Sequence, residues 1–192
     1  MADKTKPTED RPRYVLFFTG PTACGKSTVA KYVADQLNLS FLEGDDFHPQ
    51  ANVEKMHRGE PLTDADRQGW LFALRDHETA HPPGDKTRHL VITCSALKRQ
   101  YRDILREGSE QSSNLRVRFI FLIAPEEVLK KRARERKGHF AGEILVHSQF
   151  ESLEIPGKDE MDVVSVEVNR GLDKVEQEAW VKVKEILQED GA

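Results

Sequence analysis

GPTACGKS, residues 20–27, follows directly on the apolar run Tyr14-Val15-Leu16-Phe17-Phe18, and the two together decide the fold. Two glycines, a lysine and a hydroxyl at this spacing fit G-x-x-x-x-G-K-S, the phosphate-binding loop, in the strand-before, helix-after setting that the pattern requires. The glycines let the main chain curl so that successive N–H groups point inward at phosphate oxygens. A helix starting at the loop's end adds its partial positive charge. The pattern assigns Gly20, Pro21, Thr22, Ala23, Cys24, Gly25, Lys26, Ser27 and Thr28 to ATP. Lys26 is expected to reach the β- and γ-phosphates and Ser27 to ligate Mg²⁺. A plain glycine turn would need neither the lysine nor the hydroxyl. The loop speaks for nucleotide and leaves open what is done with it.

Beyond the loop, apolar β-rich runs alternate with helical segments. Strands are expected at Tyr14 to Phe18, Ser40 to Leu42, Leu90 to Cys94, Val117 to Ile123 and Val163 to Val168. Helices are expected over Lys26 to Leu37, Gln50 to His57, Thr63 to His77, from the end of the third strand through Arg106, and from Pro125 onward. The last helix carries Leu172, Val175, Ala179, Val183 and Ile186 at three- and four-residue spacing, one apolar face. Strand runs apolar on both faces, alternating with helices, predict an α/β fold with a five-stranded parallel sheet covered on both sides. Two polar stretches, residues 81–88 and 108–114, read as surface loops, and the basic, glycine-flanked stretch 134–142 as a mobile flap.

Composition narrows the function classes. The 192 residues carry 29 Lys and Arg against 33 Asp and Glu, net −4, which is no footprint for nucleic acid. No stretch approaches the roughly 20 apolar residues that span a bilayer. Residues 1–12 are polar, lack the apolar centre of a signal peptide, and read as a disordered lead-in to one domain over 13–192. Two cysteines, Cys24 and Cys94, make no disulfide framework, so a reducing compartment and a cytoplasmic location are expected.

The acceptor side of the site is expected at Glu43-Gly44-Asp45-Asp46-Phe47-His48, just after the second strand. In such sheets ligands bind beyond the carboxyl ends of the strands, so these acids should face the phosphate loop. A carboxylate there can orient an acceptor hydroxyl, take its proton and hold a metal's water shell, and Asp45 is the candidate. The plainer alternative is that Asp45 and Asp46 only cap the following turn.

At this point a resemblance becomes specific. GDDFHPQANVEKM (44–56), GEPLTDADRQGWL (59–71), CSALKRQYRDILR (94–106) and RKGHF…SQFESLE (136–154), with the phosphate loop, resemble the gluconokinase family in order along nearly the whole chain. That resemblance implies a P-loop kinase fold related to shikimate and adenylate kinases, with a lid at about 134–154. It implies transfer of the ATP γ-phosphoryl group to the 6-hydroxyl of D-gluconate, with Mg²⁺ held by Ser27 and Asp45, directly or through water. Arg67, Lys98 and Arg102 match family positions that could supply a cation for the substrate carboxylate, and His48 a polar partner; spacing does not say which cation meets it. Arg132, Arg136 and Lys137 match the lid, Arg136 with a catalytic role on the phosphates, and Asn169 the loop that cradles adenine. Relatives are often dimers, which leaves a homodimer open. A kinase of the same fold acting on shikimate or a nucleoside monophosphate is the alternative within enzymes, and a non-catalytic nucleotide-binding module the alternative outside them.

Two departures stand out. The third strand, LVITCSAL, lacks the terminal aspartate of a Walker B motif, and the loop interior Pro21-Thr22-Ala23-Cys24 lacks glycine. His77-Glu78-Thr79-Ala80-His81 fits the zinc-protease pattern H-E-x-x-H, but Pro82-Pro83 ends the helix at the second histidine, so a solvated helix end is expected instead.

Overall fold

The structure is a computed structural model describing residues 12–80, 89–110, 112, 114–137 and 141–189. Five strands form one sheet: β1 (Arg13–Thr19), β2 (Ser40–Leu42), β3 (Leu90–Thr93), β4 (Leu115–Ile123) and β5 (Val163–Glu167). Every pairing is parallel and the order is β2-β3-β1-β4-β5. Strand β1 is therefore central, and the loop that leaves it opens beside the ends of β3 and β4.

Seven helices are described: α1 (Lys26–Leu37), α2 (Gln50–His57), α3 (Asp64–Ala80), α4 (Arg99–Glu110), α5 (Glu126–Lys137), α6 (Ala141–Glu151) and α7 (Leu172–Glu189). A 3-10 turn, Gly44–Phe47, links β2 to α2. Alternate residues of β1 feed two cores. Tyr14, Leu16 and Phe18 pack with Val29 and Val33 of α1, Leu129 of α5 and Val175, Ala179 and Val183 of α7. Val15 and Phe17 pack with Trp70, Leu71 and Leu74 of α3 and Tyr101 and Leu105 of α4. Covering both faces of a parallel sheet is what its doubly apolar strands demand.

The structure adds detail to two of the expected loops. Within the stretch 134–142, Arg134 to Lys137 close α5 and α6 starts at Ala141, while residues 138–140 lie outside the described residues. The two helices touch, with Arg134 donating from Nε and Nη2 to both Glu143 oxygens at 2.7 Å and Gly142 lying against Ala133. The expected loop at 108–114 gives way to α4, which runs to Glu110. The expected loop at 81–88 and residues 1–11 of the lead-in lie outside the described residues. No helix among the described residues is long and apolar enough to cross a membrane.

Candidate active site

The phosphate loop is built as its pattern requires. Gly20 has φ 131° and Gly25 φ 97°, both left-handed, and a Cβ at Gly20 would run into the Leu122 carbonyl oxygen. No side chain caps the N-terminus of α1, and its first turn holds no acid. Those amides are left for an anion. Lys26 Nζ donates to the carbonyls of Gly20 and Pro21 at 3.0 and 3.1 Å, folded back over the loop. Ser27 and Thr28 are exposed beside it. Where the interior lacks glycine there is strain: Ala23 sits at φ 65°, a conformation that costs a residue with a Cβ about 1–2 kcal/mol. Cys24 is buried, and burial raises its thiol pKa, against the lowering influence of Lys26 and Arg132.

On the far side of β1, the Gly44–Phe47 turn is fixed against β3. The Gly44 N–H donates to Thr93 Oγ1 at 3.0 Å, and Thr93 in turn donates to the Glu43 carboxylate. Gly44 lies so close to the Thr93 carbonyl that no side chain fits there. Thr93 therefore stands where a Walker B strand would end in aspartate, and it anchors the turn that carries Asp45. The Asp45 carboxylate is exposed, with His48 Nε2 3.9 Å away.

His48 is nearly buried and stacks on Trp70 at 4.1 Å, while Trp70 Nε1 donates to the Gly44 carbonyl at 2.7 Å. Burial, reinforced by the Arg67 charge, lowers the His48 pKa to about 4, so the ring is neutral at physiological pH. Asn52 Nδ2 approaches His48 Nδ1 at 3.4 Å, which leaves Nε2 as the protonated nitrogen facing Asp45. Sequence reading missed Trp70, Asn52, Tyr101 and Asp64, whose roles come only from tertiary contact.

The three candidate cations part company. Arg67 donates from Nη1 to the Leu62 carbonyl at 2.5 Å and lies 5.7 Å from the Tyr101 ring; among the described residues it has no carboxylate partner. Lys98 is paired with both Asp64 oxygens at 2.7 and 2.8 Å. That bond, helped by the Tyr101 hydroxyl, lowers the Asp64 pKa to about 2. Arg102 does not join them. Its guanidinium is fully buried, donating from Nε and Nη2 to the two Glu160 oxygens at 2.8 and 2.7 Å, and from Nη1 to the Ala96 and Glu154 carbonyls. The expected acceptor role of Arg102 is corrected to a structural one.

On the nucleotide side, Arg132 donates from Nη2 to the Val168 carbonyl at 2.6 Å, next to exposed Asn169. Cys24, Leu129 and Ala133 of α5, and Val168 after β5 share one apolar cluster, so α5, the end of β5 and the phosphate loop meet there. The side chain of Arg136 lies outside the described residues. So does His81 of the zinc-like motif, whose first histidine packs edge-on against Phe47 with ring centroids 5.0 Å apart.

One residue ties the halves together. Cys94, at the carboxyl end of β3, is fully buried, and burial pushes its thiol up to about 12. The charges of Asp45, Lys26 and Arg67 all act on that thiol. The loop after β1 and the Gly44–Phe47 turn after β2 lie at the same carboxyl end of the parallel sheet, where Cys94 follows β3.

Comparison with known proteins shows the family and the fold. A family model described as an AAA domain matches residues 15–154. The chain is 41% identical over 184 residues to a probable gluconokinase of Schizosaccharomyces pombe, covering 96% of this chain and 95% of that one. It is 43% identical over 168 residues to the thermoresistant gluconokinase of Escherichia coli, covering 88% and 92%. The chain belongs to the gluconokinase family. A crystal structure of a gluconokinase from Sinorhizobium meliloti superposes with a TM-score of 0.79 at 36% identity, covering 93% of this chain and 96% of that one. Membership makes the chain a P-loop kinase and sets aside both the zinc-protease reading and the non-catalytic module.

Proposed function

We propose that this gluconokinase-family protein transfers the γ-phosphoryl group of ATP to the 6-hydroxyl of D-gluconate, giving 6-phospho-D-gluconate and ADP. The observation that carries the reading is that the phosphate loop leaving β1, with Lys26, and the Gly44–Phe47 turn leaving β2, with Asp45, stand at the same carboxyl end of one parallel sheet. The bond between the γ-phosphorus and the β,γ-bridging oxygen breaks, a bond from that phosphorus to gluconate O6 forms, and the O6 proton passes to Asp45. The loop amides and Lys26 hold the triphosphate, with Arg132 beside the loop after β5; the reading also gives Arg136 a catalytic role on the phosphates. Asn169 lines the adenine.

Arg67 takes the gluconate carboxylate, because its guanidinium has no carboxylate of its own among the described residues. Lys98, already balanced by Asp64, and neutral His48 line the polyol. Among the described residues no cluster of three His, Cys, Asp or Glu forms a metal cage. Exposed Ser27 and Asp45 fit an ion that keeps most of its water and leans on substrate phosphates, as Mg²⁺ does. When bound, Mg²⁺ would neutralise phosphate charge. The reading leaves a homodimer open and includes the cytoplasm as compartment, with no nucleic-acid or membrane partner. An acceptor panel of gluconate, shikimate and AMP, coupled to ADP release, tests it: turnover with gluconate alone is expected, and preference for either other acceptor refutes it.

A further inference from the structure

The last turn of α6 and the residues after it touch both halves of the site. Gln149, 9% exposed, accepts from the Thr22 N–H through Oε1 at 2.6 Å, a side-chain bond into the phosphate loop across 127 residues of sequence. Five residues on, Glu154 accepts from the Arg99 N–H through Oε2 at 2.7 Å, capping the first turn of α4. The Glu154 main chain is bound twice more: its N–H donates to the Leu97 carbonyl at 2.9 Å, and its carbonyl accepts from Arg102. These bonds hold residues 97–99, including Lys98 of the acceptor group.

We propose that residues 149–154 form a strut that sets the nucleotide loop and the acceptor loop at a fixed separation, with Gln149 and Glu154 as its positioning residues. Each acts through a main-chain amide, Gln149 on Thr22 and Glu154 on Arg99. The loop it braces needs bracing. Pro21 offers no N–H, and Ala23 is held left-handed without glycine's freedom, so an outside acceptor on Thr22 keeps the curl from relaxing. At the other end Ala96, at φ 37°, is a second residue with a Cβ held left-handed, in the loop that Glu154 and Arg102 clamp. The two strained loops are thus fastened to one short segment of chain.

The inference rests on the kinase reading above, and its test separates the two. Q149L, which removes the acceptor at similar volume, is expected to raise the KM and Kd for ATP about threefold to tenfold, the usual worth of one hydrogen bond, and to leave the KM for gluconate within about twofold. E154A is expected to do the reverse, raising the KM for gluconate about fivefold while the Kd for ATP holds, and E154Q, whose amide oxygen still accepts from Arg99, to restore most of it. A general loss of stability would lower the active fraction and Tm without splitting the two constants. Equal shifts of both constants, or no shift in either, overturn the strut. ATP titration of Q149L needs no turnover. If the wild-type protein failed to phosphorylate gluconate, the function would fall, while the Thr22 tether would still be judged by that titration.

Discussion

Replacing Glu160 by glutamine should cost this protein about 3 kcal/mol at neutral pH, and the deficit should shrink in acid. Glu160 is 6% exposed and holds fully buried Arg102 with both oxygens, while Arg106 Nη2 reaches it at 2.6 Å. The Arg102 bond, with help from Arg106, pulls the Glu160 pKa down to about 2 from an ordinary 4.5. At about 1.36 kcal/mol per unit of depression, that gap is about 3 kcal/mol of native-state stabilisation. The figure agrees with the roughly 3–5 kcal/mol lost when one partner of a buried ion pair is removed. Because the folded pKa is depressed, the contribution is complete above pH 4.5 and drains away as pH falls toward 2. E160Q has nothing to titrate there, so the gap between it and wild type should be about 1 kcal/mol smaller at pH 3.5 than at pH 7. Urea unfolding followed by tryptophan fluorescence at the two pH values measures it, and at pH 7 the Tm of E160Q should lie about 6–12 °C lower. A gap below about 1 kcal/mol at pH 7, or one that does not narrow in acid, would refute the reasoning.

Asp45→Asn should keep ATP affinity and lower gluconate turnover by about 10²-fold or more, read by titration and by coupled ADP release; near-normal turnover rules Asp45 out as base. With a folded pKa near 4, His48 stays neutral through pH 5.5, so the KM for gluconate should show no inflection near pH 6.5. In the unfolded chain His48 protonates near pH 6.5, so its burial subtracts stability as pH falls from 6.5 toward 4, and the pH slope of unfolding should be steeper there in wild type than in H48N. The Cys24 thiol, buried and raised in pKa, should react with iodoacetamide far more slowly than free cysteine at pH 7.5. Once modified it should weaken ATP binding by crowding the loop, and unchanged affinity after confirmed modification discards that idea.

The legible parts of the sequence were those set by local pattern. Lys26 to Leu37 and Gln50 to His57 are helices with the expected bounds, because apolar spacing and flanking turn residues act within a few positions. Pro125 marks the start of α5, its carbonyl accepting from the N–H groups of Val128 and Leu129. What was missed depends on partners far along the chain. Helix α6 hides behind a basic run, and its packing comes from Ala133 and Arg134 of α5. Arg102 looks like any helix arginine until Glu160, 58 residues later, folds onto it. Trp70 reads as core, which it is, yet its indole also sets the height of the turn bearing Asp45. Spacing could nominate three cations; only their neighbours separate Arg67 from the other two.

Lys26 rests on the carbonyls of Gly20 and Pro21, so the loop's own backbone steadies the ammonium at its mouth. An incoming triphosphate therefore meets a cation already on station, and docking need only trade two dipoles for a full negative charge.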